Sequence, residues 1–195
     1  MVVVKDEVRA RIVQVARKIF TRYGFKKATM EEIASATRKG KSSIYYYFSS
    51  KEDIFRAVVE KEAQELKEDL DRTLHIDASP IDKLKAYILF RLHHVRTVEN
   101  FYAALNEEYL SHMDFILEIR RQFDQEELEV VRTILEEGMI DGTFQINSSE
   151  IGAIAISTMM KGLELPLLLS DEHKRDRGEL LEDLIRVLFY GIIKR

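Results

Sequence analysis

Apolar residues recur at three- and four-residue spacing along most of the chain, and that period predicts a series of amphipathic helices. The first is expected from about Asp6 to Tyr23, with Val8, Ile12, Val15, Ala16, Ile19, Phe20 and Tyr23 on one face. Arg9, Arg17, Lys18 and Arg22 fall off that face, and Gly24 is expected to stop the helix in a left-handed conformation. Thr29-Met30-Glu31-Glu32 has the form of a capping box opening a second helix. In it Ile33 and Ala36 should face inward, and Ala34 is small enough to let a neighbour come close. A tight turn, Thr37-Arg38-Lys39-Gly40-Lys41, leads to a third short helix capped by Ser42 or Ser43 and anchored by Ile44 and Phe48.

The same reading continues downstream. Ser50-Lys51-Glu52-Asp53 caps a long fourth helix to about residue 74, with Ile54, Val58, Leu66, Leu70 and Leu74 as its stripe. Ser79-Pro80-Ile81-Asp82 starts a fifth, lined by Ile81, Leu84, Ile88 and Val95. A shorter helix is expected over Asn100–Leu110 and a longer one over Met113–Ile140, ended by Asp141-Gly142. Asn147-Ser148-Ser149-Glu150 caps the next, whose Ile151, Ile154, Ala155, Thr158 and Met159 are expected to pack on one side, and Pro166 should bend or end it. A last helix is expected from about Arg177 to Ile193. The predicted class is all-α.

Composition narrows the functional classes. The 195 residues include no cysteine, which excludes disulfides, thiolate metal sites and thiol redox chemistry. No apolar run is long enough for a bilayer span or a signal peptide, so a soluble, cytoplasmic protein with no membrane partner is expected. His93 and His94 are neighbours about 100° apart on a helix, too far round to chelate together, and the remaining histidines are scattered. No metal site, cofactor or catalytic constellation stands out, so an enzyme is not expected.

Charge is unevenly spread. Residues 1–51 hold 12 Lys+Arg and 4 Asp+Glu, a formal +8; the chain totals of 30 and 34 leave 18 and 30 for residues 52–195, a formal −12. Such asymmetry suggests that one end meets a polyanion. The basic end is also where two short helices and a tight turn fit a helix-turn-helix, whose second helix enters the major groove while the first crosses the backbone. Arg38, Lys39 and Lys41 can neutralise phosphates beside that second helix. Ser42 and Ser43 are short hydrogen-bonding groups at its tip, and Tyr45, Tyr46 and Tyr47 offer phenols, with Tyr47 expected to be partly buried. Lys51 sits at the start of the fourth helix, where the dipole also favours a phosphate.

On these residues the chain resembles a known family. IVQVARKIFTRYGFKKATMEEIA and SIYYYFSSKEDIFRAVV, within residues 6 to about 62, are similar to the N-terminal domain of the TetR/AcrR family of bacterial transcriptional regulators. The amphipathic first helix, the Gly-aromatic pair, the threonine, the Ile-Ala pair, the Ile-Tyr-Tyr-Tyr-Phe helix and the Ser-Lys-Glu-Asp start follow in the family's order. EEGMIDGTF resembles the family's turn before its dimerisation helices. The resemblance implies that Thr29, Lys41, Ser42, Ser43, Tyr45, Tyr46 and Lys51 face DNA. One departure stands out: where the family has glycine and then an aliphatic residue in the turn, this chain has Arg38-Lys39, with the glycine displaced to Gly40. The added charge is expected to raise non-specific affinity.

The resemblance further implies an N-terminal helix-turn-helix domain, residues 1–51, followed by a helical effector-binding and dimerisation domain, residues 52–195, with helix 4 connecting. It implies a homodimer formed through about 148–169 and 177–193, a double-stranded operator as partner, and a small-molecule effector. Phe90, His94, Phe101, Tyr102, Phe123, Met159 and Met160 are aromatic or soft side chains on the central helices and suit an apolar or aromatic effector. Such a set is more often ordinary helical core. The expected function is a ligand-responsive regulator, in the commonest form a repressor. The alternative is a DNA-coating protein that uses the same motif without an effector.

Overall fold

The computed structural model describes residues 2–74, 77–94, 100, 103, 114–169 and 186. Their regular structure is α1 (Val2–Lys27), α2 (Met30–Thr37), α3 (Lys41–Tyr47), α4 (Lys51–Leu74), α5 (Pro80–His94), α6 (Asp114–Ile140) and α7 (Ser149–Leu169). No strand is present among the described residues, so the fold is all-α. Of the expected helix at 100–110, Asn100 and Ala103 are described, both helical; of the last helix, only Arg186 is.

Several starts form for the reasons read from the sequence. Ser50 Oγ accepts from the Asp53 amide at 3.1 Å, Ser79 Oγ from Asp82 at 3.2 Å, and Ser148 Oγ from Ile151 at 3.2 Å. Other expectations need correction. Gly24 does leave the helical region (φ 74°, ψ 163°), but a further turn follows at once, so α1 kinks there and reaches Lys27. Tyr23 is 46% exposed instead of core, because Phe25, beyond the kink, takes the inward place. Ala36 is exposed, and Ala34 is buried beside Ile33. Pro166 does not end α7, which runs on to Leu169; so near a helix end a missing N–H removes only one ladder bond.

Contacts divide the chain into two compact units, one of Met1–Glu65 with Val98–Arg120, the other of Leu66–Thr97 with Arg121–Arg195. The division falls inside α4. In the first unit, α1 packs on α2 and α2 on α3. Its centre is Ile12, Ala16, Phe20, Phe25, Ile33, Ile44, Ile54, Phe55 and Val58, all buried. Phe55 meets Phe20 edge-on at 5.1 Å and Phe25 at 4.8 Å between ring centroids. Each ring buried this way stabilises by roughly 1.5–3 kcal/mol. Asn100 ties its segment to this unit: its amide nitrogen donates to Glu62 Oε1 (2.8 Å), Thr21 Oγ1 (2.9 Å) and the Arg17 carbonyl (3.3 Å). Arg17 pairs with Glu62 at 2.8 Å and Glu65 at 2.7 Å, so the buried Glu62 carboxylate is compensated.

In the second unit, α5 packs on α7. The core rows are Leu84, Tyr87, Ile88 and Arg91 on α5, Glu127, Val131, Ile134 and Leu135 on α6, and Ala153, Ile156, Ser157 and Met160 on α7. Glycines set the close approaches. A Cβ on Gly152 would lie 2.9 Å from Leu135 Cδ1. A Cβ on Gly138 would lie 2.2 Å from the Phe144 ring, which is held over it by the Phe144 N–H bond to the Gly138 carbonyl (2.8 Å). Gly142, at φ 80°, reverses the chain between them, and Asp141 Oδ1 accepts from the Thr143 amide at 2.8 Å. This is the physical content of the EEGMIDGTF signature.

Gly138→Ala therefore forces a methyl into a rigid ring. A gain of about 1 kcal/mol in helix propensity is outweighed by overpacking of about 1–3 kcal/mol. Urea unfolding should show a lowered midpoint; a wild-type midpoint would contradict the packing.

Candidate nucleic-acid interface

The α2–turn–α3 segment is built from local rules. Thr29 caps α2 with a reciprocal box: its Oγ1 accepts from the Glu32 amide (3.2 Å), and Glu32 Oε2 accepts from the Thr29 amide (2.9 Å) and hydroxyl (3.0 Å). At the other end Thr37, buried, donates its hydroxyl back to the Ile33 and Ala34 carbonyls at 2.8 and 3.0 Å. The chain then leaves in a Schellman arrangement. Arg38 N–H donates to Ser35 O and Lys39 N–H to Ala34 O, both at 3.0 Å. Arg38 itself takes the left-handed conformation (φ 55°, ψ 39°) that the turn demands, without the help of glycine. Gly40, displaced from that place, is extended (φ −68°, ψ 151°) and serves as N-cap of α3.

The expected capping of α3 by Ser42 or Ser43 is therefore not what forms. The helix starts at Lys41, the Gly40 carbonyl accepts from Ser43 and Ile44, and no side chain caps it. The physical reason is the position of the turn's left-handed residue, two places earlier than the glycine. Ser42, exposed, and Ser43, half-buried, are carried on the first turn as outward groups.

Ile44, fully buried, and Phe48, 4% exposed, hold α3 down. That fixes its outer surface as Tyr45 and Tyr46, 45% and 68% exposed, with Lys41 and Ser42. Tyr47 is half-buried and meets Tyr46 edge-on at 5.1 Å. Arg38 and Lys39 are exposed beside this surface. Lys41 is ion-paired to Glu31 and lies 6.0 Å from the Tyr45 ring centroid. The hydrogen bond to Glu31, foremost, raises the Lys41 pKa, and the one to Lys41 lowers that of Glu31.

Lys51 is placed differently from the other cations. Its ammonium donates to the carbonyls of Phe25 (2.8 Å), Ala28 (3.1 Å) and Lys26 (3.4 Å) and sits 4.4 Å from the Phe25 ring centroid. It satisfies the carbonyls after the Gly24 kink and fixes the loop leading to Thr29. Sequence reasoning missed three partners here. Arg9 stacks on Phe48 at 4.9 Å, Glu31 reaches Lys41 ten residues on, and Asn100 contacts α1 from far along the chain. None lies at a local spacing that pattern reading detects.

Comparison with known proteins matches this segment. Residues 12–58 fit the family described as bacterial regulatory proteins, tetR family. YvaF, an uncharacterised HTH-type transcriptional regulator of Bacillus subtilis (strain 168), is 30% identical over 169 residues, 84% of this chain and 85% of that protein. The chain belongs to the TetR family of bacterial transcriptional regulators. YfiR, another uncharacterised HTH-type regulator of the same organism, is 28% identical over 183 residues, covering 91% and 88% of the two chains. A transcriptional regulator from Cytophaga hutchinsonii shares the fold with a TM-score of 0.78 at 27% identity, over 94% of this chain and 97% of that one.

A TetR-family regulator is a DNA-binding protein, and the second unit holds five of the residues expected to line an effector site, Phe90, His94, Phe123, Met159 and Met160. Phe90 and Met160 are buried, and Phe123 is half-buried with the Arg91 guanidinium 5.2 Å from its centroid. Met159 is 39% exposed and belongs to an outer row of α7, not to the core row of Met160. His94 lies on the last turn of α5; Phe101 and Tyr102 fall outside the described residues. Polar groups went unforeseen. Arg91 and Glu127, both almost fully buried, approach to 3.1 Å, and the Tyr87 hydroxyl donates to the same Glu127 oxygen. Burial first, and then the Glu127 carboxylate, push the Tyr87 phenol well above its usual pKa, so it stays a donor. Among the described residues no cluster suits a metal ion, and no helix is long and apolar enough to cross a membrane.

The turn gives a stability test. A non-glycine residue in the left-handed region costs roughly 1–2 kcal/mol, and β-branching worsens it. Arg38→Gly should unfold at or above the wild-type temperature, and Arg38→Val clearly below it. The reverse order in calorimetry would contradict the left-handed turn.

Proposed function

We propose that the protein is a homodimeric, ligand-responsive repressor acting in the cytoplasm. Residues 1–51 form its DNA-binding domain and residues 52–195 its effector-binding and dimerisation domain. The observation that carries the DNA half is the presentation of α3: Ile44 and Phe48 point inward, leaving Ser42, Tyr45 and Tyr46 outward in the most basic part of the chain. In this reading Tyr45, Tyr46, Ser42 and Ser43 meet base edges and nearby phosphates. Arg38, Lys39 and Lys41 neutralise the backbone, and the α2 N-terminus at Thr29 meets a further phosphate. Lys51 acts by holding the Phe25–Ala28 loop in place.

The dimer reading rests on α7. Ile151 (69% exposed), Ile154, Ala155, Thr158, Met159 and Gly162 are all exposed and recur at three- and four-residue spacing, opposite the buried Ala153–Ile156–Met160 row. A helix apolar on both sides is buried on both sides in its working state. A second copy of the same helix, with the segment 177–193, supplies that cover. Two α3 helices then meet successive major grooves of a palindromic operator, about 34–36 Å apart. The effector is small and mainly apolar or aromatic, held near Phe90, Phe123 and Met160 with the Tyr87–Glu127–Arg91 group as its polar neighbour. It releases DNA only by the difference in its affinity for the two arrangements of the dimer.

Selection of bound fragments from random duplex DNA tests the reading. A two-fold symmetric consensus is expected; unselective recovery would favour the coating protein. On that consensus Tyr46→Ala should weaken binding roughly tenfold or more, as for loss of a base contact, without lowering the melting temperature. For the dimer, Ile154→Glu buries a charge in the joint and should yield monomers in sedimentation equilibrium; an unaltered dimer would place the joint elsewhere.

A further inference from the structure

Lys41 is the first residue of α3, and Glu31 lies in the first turn of α2, across the three-residue turn 38–40. Their side chains are ion-paired and exposed, 54% for Lys41 and 60% for Glu31. The other acid of that turn, Glu32, is already engaged in the capping box. Glu31 is therefore the carboxylate left to face the cations of the turn. Among the described residues neither Arg38 nor Lys39 has an ion-pair partner, so Lys41 alone of these three begins neutralised.

We infer that Glu31 is an attenuator of DNA affinity, holding Lys41 in an internal ion pair that a phosphate must displace. The inference rests on the DNA-binding reading and adds a residue to it. Its logic is ion exchange. A free lysine that meets a phosphate releases a condensed counterion and gains affinity, with a salt slope of about 0.9 per phosphate. A paired lysine first gives up its carboxylate, which then regains a cation from solution. Both the affinity gained and the salt slope are reduced. The carboxylate also stays beside the phosphates, opposing their approach. The sequence itself shows why an attenuator is useful: the turn carries Arg38 and Lys39 in addition to Lys41, a density of charge that binds any duplex.

The test needs no operator. Binding of a random-sequence 24-base-pair duplex is followed by fluorescence anisotropy across a salt series, for the wild type, Glu31→Gln, Lys41→Gln and the double variant. Glu31→Gln, with an unchanged circular dichroism spectrum, should tighten binding about threefold or more at low salt and steepen the salt slope by up to about 0.9. In the Lys41→Gln background most of that tightening should vanish. Wild-type affinity and slope in Glu31→Gln would overturn the inference while leaving DNA binding intact. Equal tightening in both backgrounds would also overturn it, because Glu31 would then act by repulsion alone. A wild type that binds no duplex at any salt would overturn the DNA-binding reading, and this inference with it.

Discussion

Helices of eight and seven residues do not persist in water, since nucleation is unfavourable and few backbone bonds follow it. The surface offered by α3 therefore exists only because Ile33, Ala34, Ile44 and Phe48 are buried against a larger body. The Phe20–Phe25–Phe55 cluster supplies the centre of that body, and the Gly24 kink is what brings Phe25 into it. Lys51 then stitches the loop after the kink, three carbonyls at once, and so sets where Thr29 can begin α2. The chain of dependence runs from aromatic burial to loop, from loop to cap, and from cap to the short helices that carry the exposed tyrosines.

The second unit follows a different logic. Its core is not purely apolar: Tyr87, Arg91 and Glu127 meet inside it. A buried pair of this kind seldom adds net stability, because desolvation offsets most of the attraction. Removing one member, however, leaves an uncompensated charge. Such a group holds α5 and α6 in one register. Further charged pairs, Lys83–Glu137 at 2.6 Å and Lys67–Glu126 at 2.9 Å, border it at the surface, where water limits their worth.

Much of this was legible in the residues. Caps declare themselves locally, so Thr29, Ser50, Ser79 and Ser148 could be placed from their neighbours alone. Helical period located Ile12, Ala16, Phe20, Ile44 and Phe48. On α7 it picked the wrong side as packed within the subunit: Ile151, Ile154, Ala155, Thr158 and Met159 are exposed, and the buried row is Ala153, Ile156, Ser157 and Met160, because both sides of this helix are apolar. What failed was whatever depends on a choice between two local solutions. Gly40 and the two serines could each cap α3, and the left-handed turn at Arg38 gives the place to Gly40, so the helix starts at Lys41. Tyr23 and Phe25 could each be the inward ring, and only the kink decides. Contacts between residues far apart in sequence, such as Tyr87 with Glu127, leave no periodic trace. The placement of Met159 on the outer row illustrates how two adjacent methionines can serve different surfaces.

Asn100 donates through one amide nitrogen to acceptors drawn from two helices of the first unit, at positions 17, 21 and 62. An amide nitrogen has only two hydrogens, so three oxygens share them in a geometry that tolerates no longer, shorter or oppositely polarised side chain. Glu62 in turn is paired with Arg17 at 2.8 Å out of water. Arg17, Thr21, Glu62 and Asn100 therefore form one connected set, and a chimera joined after residue 65 would take Asn100 from a different parent than its three partners.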